Sequence, residues 1–147
     1  MNRFNYETND WEKTNCCVVA SIYGHDGSLW TDSTQGGCNL TTYQHEIEDL
    51  DGSKTNIEVN EVNCALAATN NNRQPTQAGI RLGGLKHMLT YHDETTGTAK
   101  LNAAGGGASV GKTKTAVIVA YWKKDQKDSV GGNQNAEECW KLVSEMT

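Results

Sequence analysis

The sequence predicts a mixed α/β domain of the α+β type with a largely antiparallel sheet at its centre. Extended runs are joined by tight glycine turns at Asp26-Gly27, Gly83-Gly84 and Thr96-Gly97, and such turns send a strand back along its predecessor. The run Thr115 to Trp122 is apolar on both alternating sides, so the strand it forms must be covered on two faces. Near the C-terminus, Ala136, Cys139, Trp140, Val143 and Met146 recur at helical spacing and offer one such cover.

Length and composition frame this reading. With 147 residues, 36% hydrophobic and 21% charged, one domain spanning 1–147 is expected, with a core of useful size. No stretch reaches the roughly 18 consecutive apolar residues of a membrane-spanning helix, and the start Met1-Asn2-Arg3-Phe4-Asn5 has no apolar signal run, so a cytoplasmic protein without a transmembrane segment is expected. Five cysteines, an odd number without a C-x-x-C pair, read as reduced packing residues. The net charge of −5 argues against nucleic acid as a partner.

Taken in order, Arg3 to Lys13, bearing Phe4, Tyr6 and Trp11, is read as a short helix. Cys16 to Tyr23 is a strand returned through Asp26-Gly27 to Ser28-Leu29-Trp30. The polar run Thr31 to Asn60, centred on Asp51-Gly52, is read as a protruding hairpin or long loop inserted around 31–60. Glu61 to Asn70 predicts a helix with Val62, Ala65, Leu66 and Thr69 on one side, ended by an Asn-rich loop and Pro75. Arg81 to Tyr91 is a hairpin about Gly83-Gly84, and Thr98 to Ala104 is a weak strand. In the best strand, Val117, Val119 and Tyr121 point one way and Ile118, Ala120 and Trp122 the other. Asn135 with Glu138 three residues on marks the start of the last helix as a capping box.

One stretch demands a chemical reading, since Gly106 to Thr113 fits the phosphate-loop pattern G-x-x-x-x-G-K-T. That loop works only between a buried strand and a helix whose free amides surround the phosphate. Here the segment that follows is β-rich, so a glycine-rich turn leading into a strand is the better reading, with a nucleotide-binding enzyme as the alternative. The four histidines lack ligand spacing, and no nucleophile elbow is present. No catalytic residues, metal or cofactor are expected.

The order of the pieces resembles the profilin family. The matching segments are Ala20 to Trp30, Gly79 to Lys86, Lys112 to Tyr121, and Gly131-Gly132 with Asn135; the Gly-x-Asp-Gly-Ser-x-Trp hairpin followed by Leu-Gly-Gly-x-Lys is the specific part. The resemblance covers most of the chain from Cys16 onward. Its long 31–60 segment and poorly matched N-terminal helix fit a divergent member, of a protist or archaeal kind.

The resemblance implies a central antiparallel sheet with N- and C-terminal helices on one face and shorter helices on the other. It implies an actin-monomer-binding regulator of polymerisation, with actin contacts at Lys86, Met88, Lys112, Gly132, Asn135 and Glu138. For proline-rich peptides it implies Trp30, with Tyr6 or Trp11 supplying the N-terminal half; because the family's C-terminal histidine position holds Ser144, that binding is expected to be weak or absent. Phosphoinositide binding is left open by Lys123, Lys124 and Lys127, a basic run that Asp125 and Asp128 interrupt into what reads as a solvated turn. A scaffold that kept the fold and lost actin is a further alternative.

Overall fold

The computed structural model describes residues 2–5, 10–13, 15–33, 36–129 and 131–147, with side chains from residue 15 onward. The N-terminal segment corrects the sequence reading. Its described parts are two strands, Asn2–Asn5 (β1) and Asp10–Lys13 (β2), paired antiparallel with Phe4 opposite Trp11. Asn2, Asn5 and Asp10 are poor helix formers, and the aromatics Phe4 and Trp11 favour extended chain, so local propensity runs against a helix. No N-terminal helix is present among the described residues.

Val19–Gly24 (β3) turns through His25 to Ser28 into Leu29–Asp32 (β4). The polar run beyond Trp30 contains Thr42–Glu48 (β5) and Lys54–Asn60 (β6), a hairpin that forms a two-stranded sheet of its own, with Leu50 fully exposed at its tip. Asn60 ends β6 and caps Glu61–Thr69 (α1), its side chain accepting the amide of Asn63 at 3.2 Å. Ile80–Leu82 (β7) and Leu85–Asp93 (β8) are joined by Gly83-Gly84, both with positive φ (61° and 77°), a two-residue turn that suits glycine. Thr98–Ala103 (β9), Gly106–Lys112 (β10) and Ala116–Lys123 (β11) follow, and Ala136–Met146 (α2) closes the chain.

The main sheet has seven strands in the order β4-β3-β11-β10-β9-β8-β7, every pair antiparallel. Strand β11, third in that order and paired on both sides, behaves as its alternation requires. Val117 and Val119, with Tyr121 packed alongside, join the core beneath α1, whereas Ile118, Ala120 and Trp122 join the core beneath α2. Thus α1 covers one face and α2 the other. Asn135 caps α2 by accepting the Glu138 amide at 3.0 Å, but the Glu138 carboxylate pairs with Lys141 at 3.3 Å, so only half of the expected capping box is seen.

The phosphate-loop look-alike is a second correction. The turn is Ala104-Gly105, and the segment from Gly106 to Lys112 is a buried strand laddered to β9 on one side and β11 on the other. Gly106 and Gly107 lie against Trp122 and the neighbouring strands, and Gly111 answers to the close approach of α2. A Cβ on Gly111 would lie 2.6 Å from Thr147 Cγ2 and 3.0 Å from Val143 Cγ1.

Candidate functional site

On β8, Ile80's partner His87 and the next inward residue Leu89 are buried, so Lys86 and Met88 project from the opposite, α2-bearing face. Helix α2 packs on β9, β10 and β11 and meets the outer side of β8 at Tyr91, leaving the stretch with Lys86 and Met88 open. Met88 is accordingly 69% exposed. A bulge between Leu89 and Tyr91 then shifts the register, and Tyr91 comes opposite Lys100 on the same outer face.

There the side chains are ordered by one another. The Lys100 ammonium sits 4.9 Å from the Tyr91 ring centre and 4.8 Å from that of Trp140, and it hydrogen-bonds to the Glu137 carboxylate in the first turn of α2. The two rings meet edge to face at 5.6 Å, and Trp140 Nε1 donates to Thr98 Oγ1 at 2.9 Å. The Lys100 hydrogen bond holds the Glu137 carboxyl below its usual range. Strands β8 and β9 and the first turn of α2 therefore share one exposed, pre-organised surface carrying aliphatic, aromatic and basic groups.

Of the residues expected at an actin contact, Lys86 and Met88 lie on this face, and exposed Gly132 and Asn135 lead into the helix tied to it by the Lys100–Glu137 pair. Two do not join them. Lys112 follows Gly111 by one residue and so turns to the α1 side, where its ammonium bonds the Asn70 side chain at the end of α1. Glu138 sits one position, or about 100° of helix, past Glu137 and pairs with Lys141 instead. Lys100, Tyr91 and Glu137 were not singled out by sequence, and Trp140 was read as part of the apolar stripe of the helix; the Glu137/Trp140 spacing of three was the one available signal, and the bulge that brings in Tyr91 has none.

The aromatic set is also divided. Trp30 is 55% exposed on the edge strand β4, its ring lying over Gly24, where a Cβ would come within 2.8 Å of Trp30 Nε1. Tyr6 lies outside the described residues, and of Trp11 the backbone alone is described. Trp140 packs on β9, four strands from β4, or about 19 Å across the sheet.

A third arrangement went unread in the sequence. Glu61 is fully buried at the start of α1, its Oε1 accepting the Thr41 amide (3.1 Å) and its Oε2 accepting the Tyr43 hydroxyl (3.2 Å) and the Gly84 amide (2.8 Å). Arg81 closes the ring, donating from Nε to Tyr43 Oη (3.2 Å) and from Nη2 to Gly84 O (2.6 Å). As the first residue of a helix an acid is explained by the dipole alone, which is why its longer-range role leaves no local signature.

Among the described residues, no three His, Cys, Asp or Glu side chains gather as a metal site, and no helix is long and apolar enough to cross a membrane. The amides of Gly106 to Lys112 are committed to strand ladders, so the segment presents no phosphate cradle.

The profilin family model matches residues 5–146. A profilin of Tetrahymena pyriformis is 31% identical over 124 residues, covering 82% of this chain and 77% of its own, and one of Branchiostoma belcheri is 32% identical over 109 residues, covering 74% and 70%. In structure, profilin IA of Acanthamoeba castellanii superposes with a TM-score of 0.50 at 16% identity, covering 89% of this chain and 81% of its own, a likeness of fold. Since the family match runs through the sheet and both helices, and two relatives exceed 30% identity along most of the chain, the chain belongs to the profilin family of non-enzymatic actin-binding regulators.

Proposed function

We propose that the chain, a single profilin-like domain with the β5–β6 hairpin as an insertion, binds monomeric actin in the cytoplasm through the outer face of β8 and β9 and the start of α2. The observation that carries this reading is the coincidence of Lys86 and Met88, which α2 leaves open, with Tyr91 and Lys100, which α2 holds in place, on one face. Aromatic groups held in place before binding lose little entropy on contact, and Lys86 draws an acidic partner. Gly132 and Asn135 extend this surface along the helix start. Lys112 and Glu138 are left outside it. The test is spontaneous polymerisation of actin: the chain slows it in proportion to its concentration, and an unchanged time course at excess chain contradicts the reading.

Proline-rich peptides are proposed to bind weakly. An extended proline helix needs aromatic faces on both sides, and Trp30 stands on β4 with Trp140 engaged about 19 Å away. Decaproline titrated against tryptophan fluorescence should not saturate at the concentrations that saturate a conventional profilin; tight saturation lost in Trp30→Ala would contradict this. Lys123, Lys124 and Lys127 are exposed beside Asp125, and Lys127 Nζ bonds Asn133, which supports a solvated turn over a phosphoinositide site.

A further inference from the structure

The ring Glu61, Tyr43, Arg81 and Gly84 joins three parts of the molecule that are distant in sequence. Tyr43 belongs to the β5–β6 hairpin, Glu61 opens α1, and Gly84 is the second residue of the turn from β7 to β8. The turn consists of two glycines with positive φ, so its own covalent structure does little to fix it. Both polar groups of the Gly84 residue are instead held by side chains, its N–H by Glu61 and its C=O by Arg81. The Tyr43 hydroxyl connects those two side chains, donating to one and accepting from the other.

Lys86 lies two residues beyond Gly84, opposite Arg81 in the ladder, and Met88 two further on. We propose that Glu61 and Tyr43 are positioning residues that fix the Gly83-Gly84 turn, and with it Lys86 and Met88, so that the β5–β6 hairpin sets actin affinity without touching actin. This rests on the actin-binding face proposed above. The hairpin is hydrogen-bonded as its own two-stranded sheet and is anchored at its inner end, where Val59, Ile57 and Tyr43 pack into the core, so a partner that grips its exposed outer half acts on the actin face through that inner end and the ring it carries.

Tyr43→Phe removes one hydroxyl without a change of shape, and Glu61→Gln keeps the shape while exchanging one acceptor for a donor. Three readouts on each, with the full chain, decide the matter: hydrogen exchange at the Gly84 amide, actin affinity, and the further effect of Lys86→Ala. Exchange at Gly84 should quicken about tenfold or more in Glu61→Gln, as expected when an amide loses its buried acceptor. Actin affinity should fall about three- to tenfold in both variants, with Lys86→Ala costing less in them than in the wild type, the non-additivity of coupled residues. An unchanged Gly84 exchange rate, or unchanged affinity with Lys86→Ala fully additive, overturns the coupling while leaving the actin reading in place. A wild-type chain without effect on actin overturns the actin reading and this coupling together, even if Gly84 exchange responds.

Discussion

Gly111→Val separates the strand reading of the Gly106 to Thr113 segment from the nucleotide-loop reading. In the structure Gly111 faces α2, and a Cβ there meets Thr147 Cγ2 at 2.6 Å, Val143 Cγ1 at 3.0 Å and Thr98 Cγ2 at 3.2 Å. Comfortable carbon contacts lie near 3.5–4.0 Å. Thr147 is exposed at the chain end and can swing away, but Val143 and Thr98 are fully buried and must give by about half an ångström. Overpacking of this kind costs about 1–3 kcal/mol, and the two γ-methyls of valine place the substitution toward the upper end. At about 2–4 °C per kcal/mol for a chain of this size, the melting temperature should fall by roughly 5–10 °C. Val143→Ala opens space at the same contact, so in the double variant the two costs should sum to less than their separate values. Thermal unfolding followed by circular dichroism reads both. A melting temperature unchanged by Gly111→Val, or strict additivity with Val143→Ala, would refute the packing of α2 on β10.

Two further outcomes follow from buried groups. Burial holds the His87 imidazole below its ordinary value of about 6.5, so the folded state resists the proton that the unfolded chain accepts. Stability from this group is present above pH 6.5 and is lost as pH falls below it, at no more than about 1.4 kcal/mol per pH unit; urea unfolding between pH 7.5 and 5 should show the decline, and His87→Phe should flatten it. Burial also pushes the Cys38 and Cys139 thiols up to about 12, so a thiol-reactive aromatic disulfide should leave them unmodified in the folded protein and react promptly in denaturant; fast labelling of either in the native state would contradict their placement in the core.

What the sequence discloses and what it conceals divide along a physical line. Strand β11, the Gly83-Gly84 turn and α2 are written in local patterns, alternation, paired glycines and a helical stripe, and each forms where those patterns place it. Strand β10 is concealed because glycine, alanine and serine are weak strand formers; its glycines stand there because the Trp122 ring and, at Gly111, a helix lie against them, a tertiary fact. The side to which Lys112 points depends on counting residues along that same strand, so a segment read as a turn leaves the lysine's side unspecified. Tyr91 reaches Lys100 only through a one-residue bulge, and Glu61 reaches Gly84 across 23 positions of chain, contacts for which periodicity offers no sign.

The most direct measurement of the central claim is the affinity for monomeric actin of four proteins side by side: the wild type, Lys86→Glu, Met88→Asp and Lys112→Glu. Lys86 and Met88 stand on the open face of β8, whereas Lys112 bonds Asn70 on the other side of the sheet. The wild type should bind, Lys86→Glu and Met88→Asp should each weaken binding about tenfold or more, as for charge reversal or a charged insert at the centre of an interface, and Lys112→Glu should leave it within about twofold. Equal losses in all three variants, or a loss confined to Lys112→Glu, would place the contact elsewhere and contradict the account.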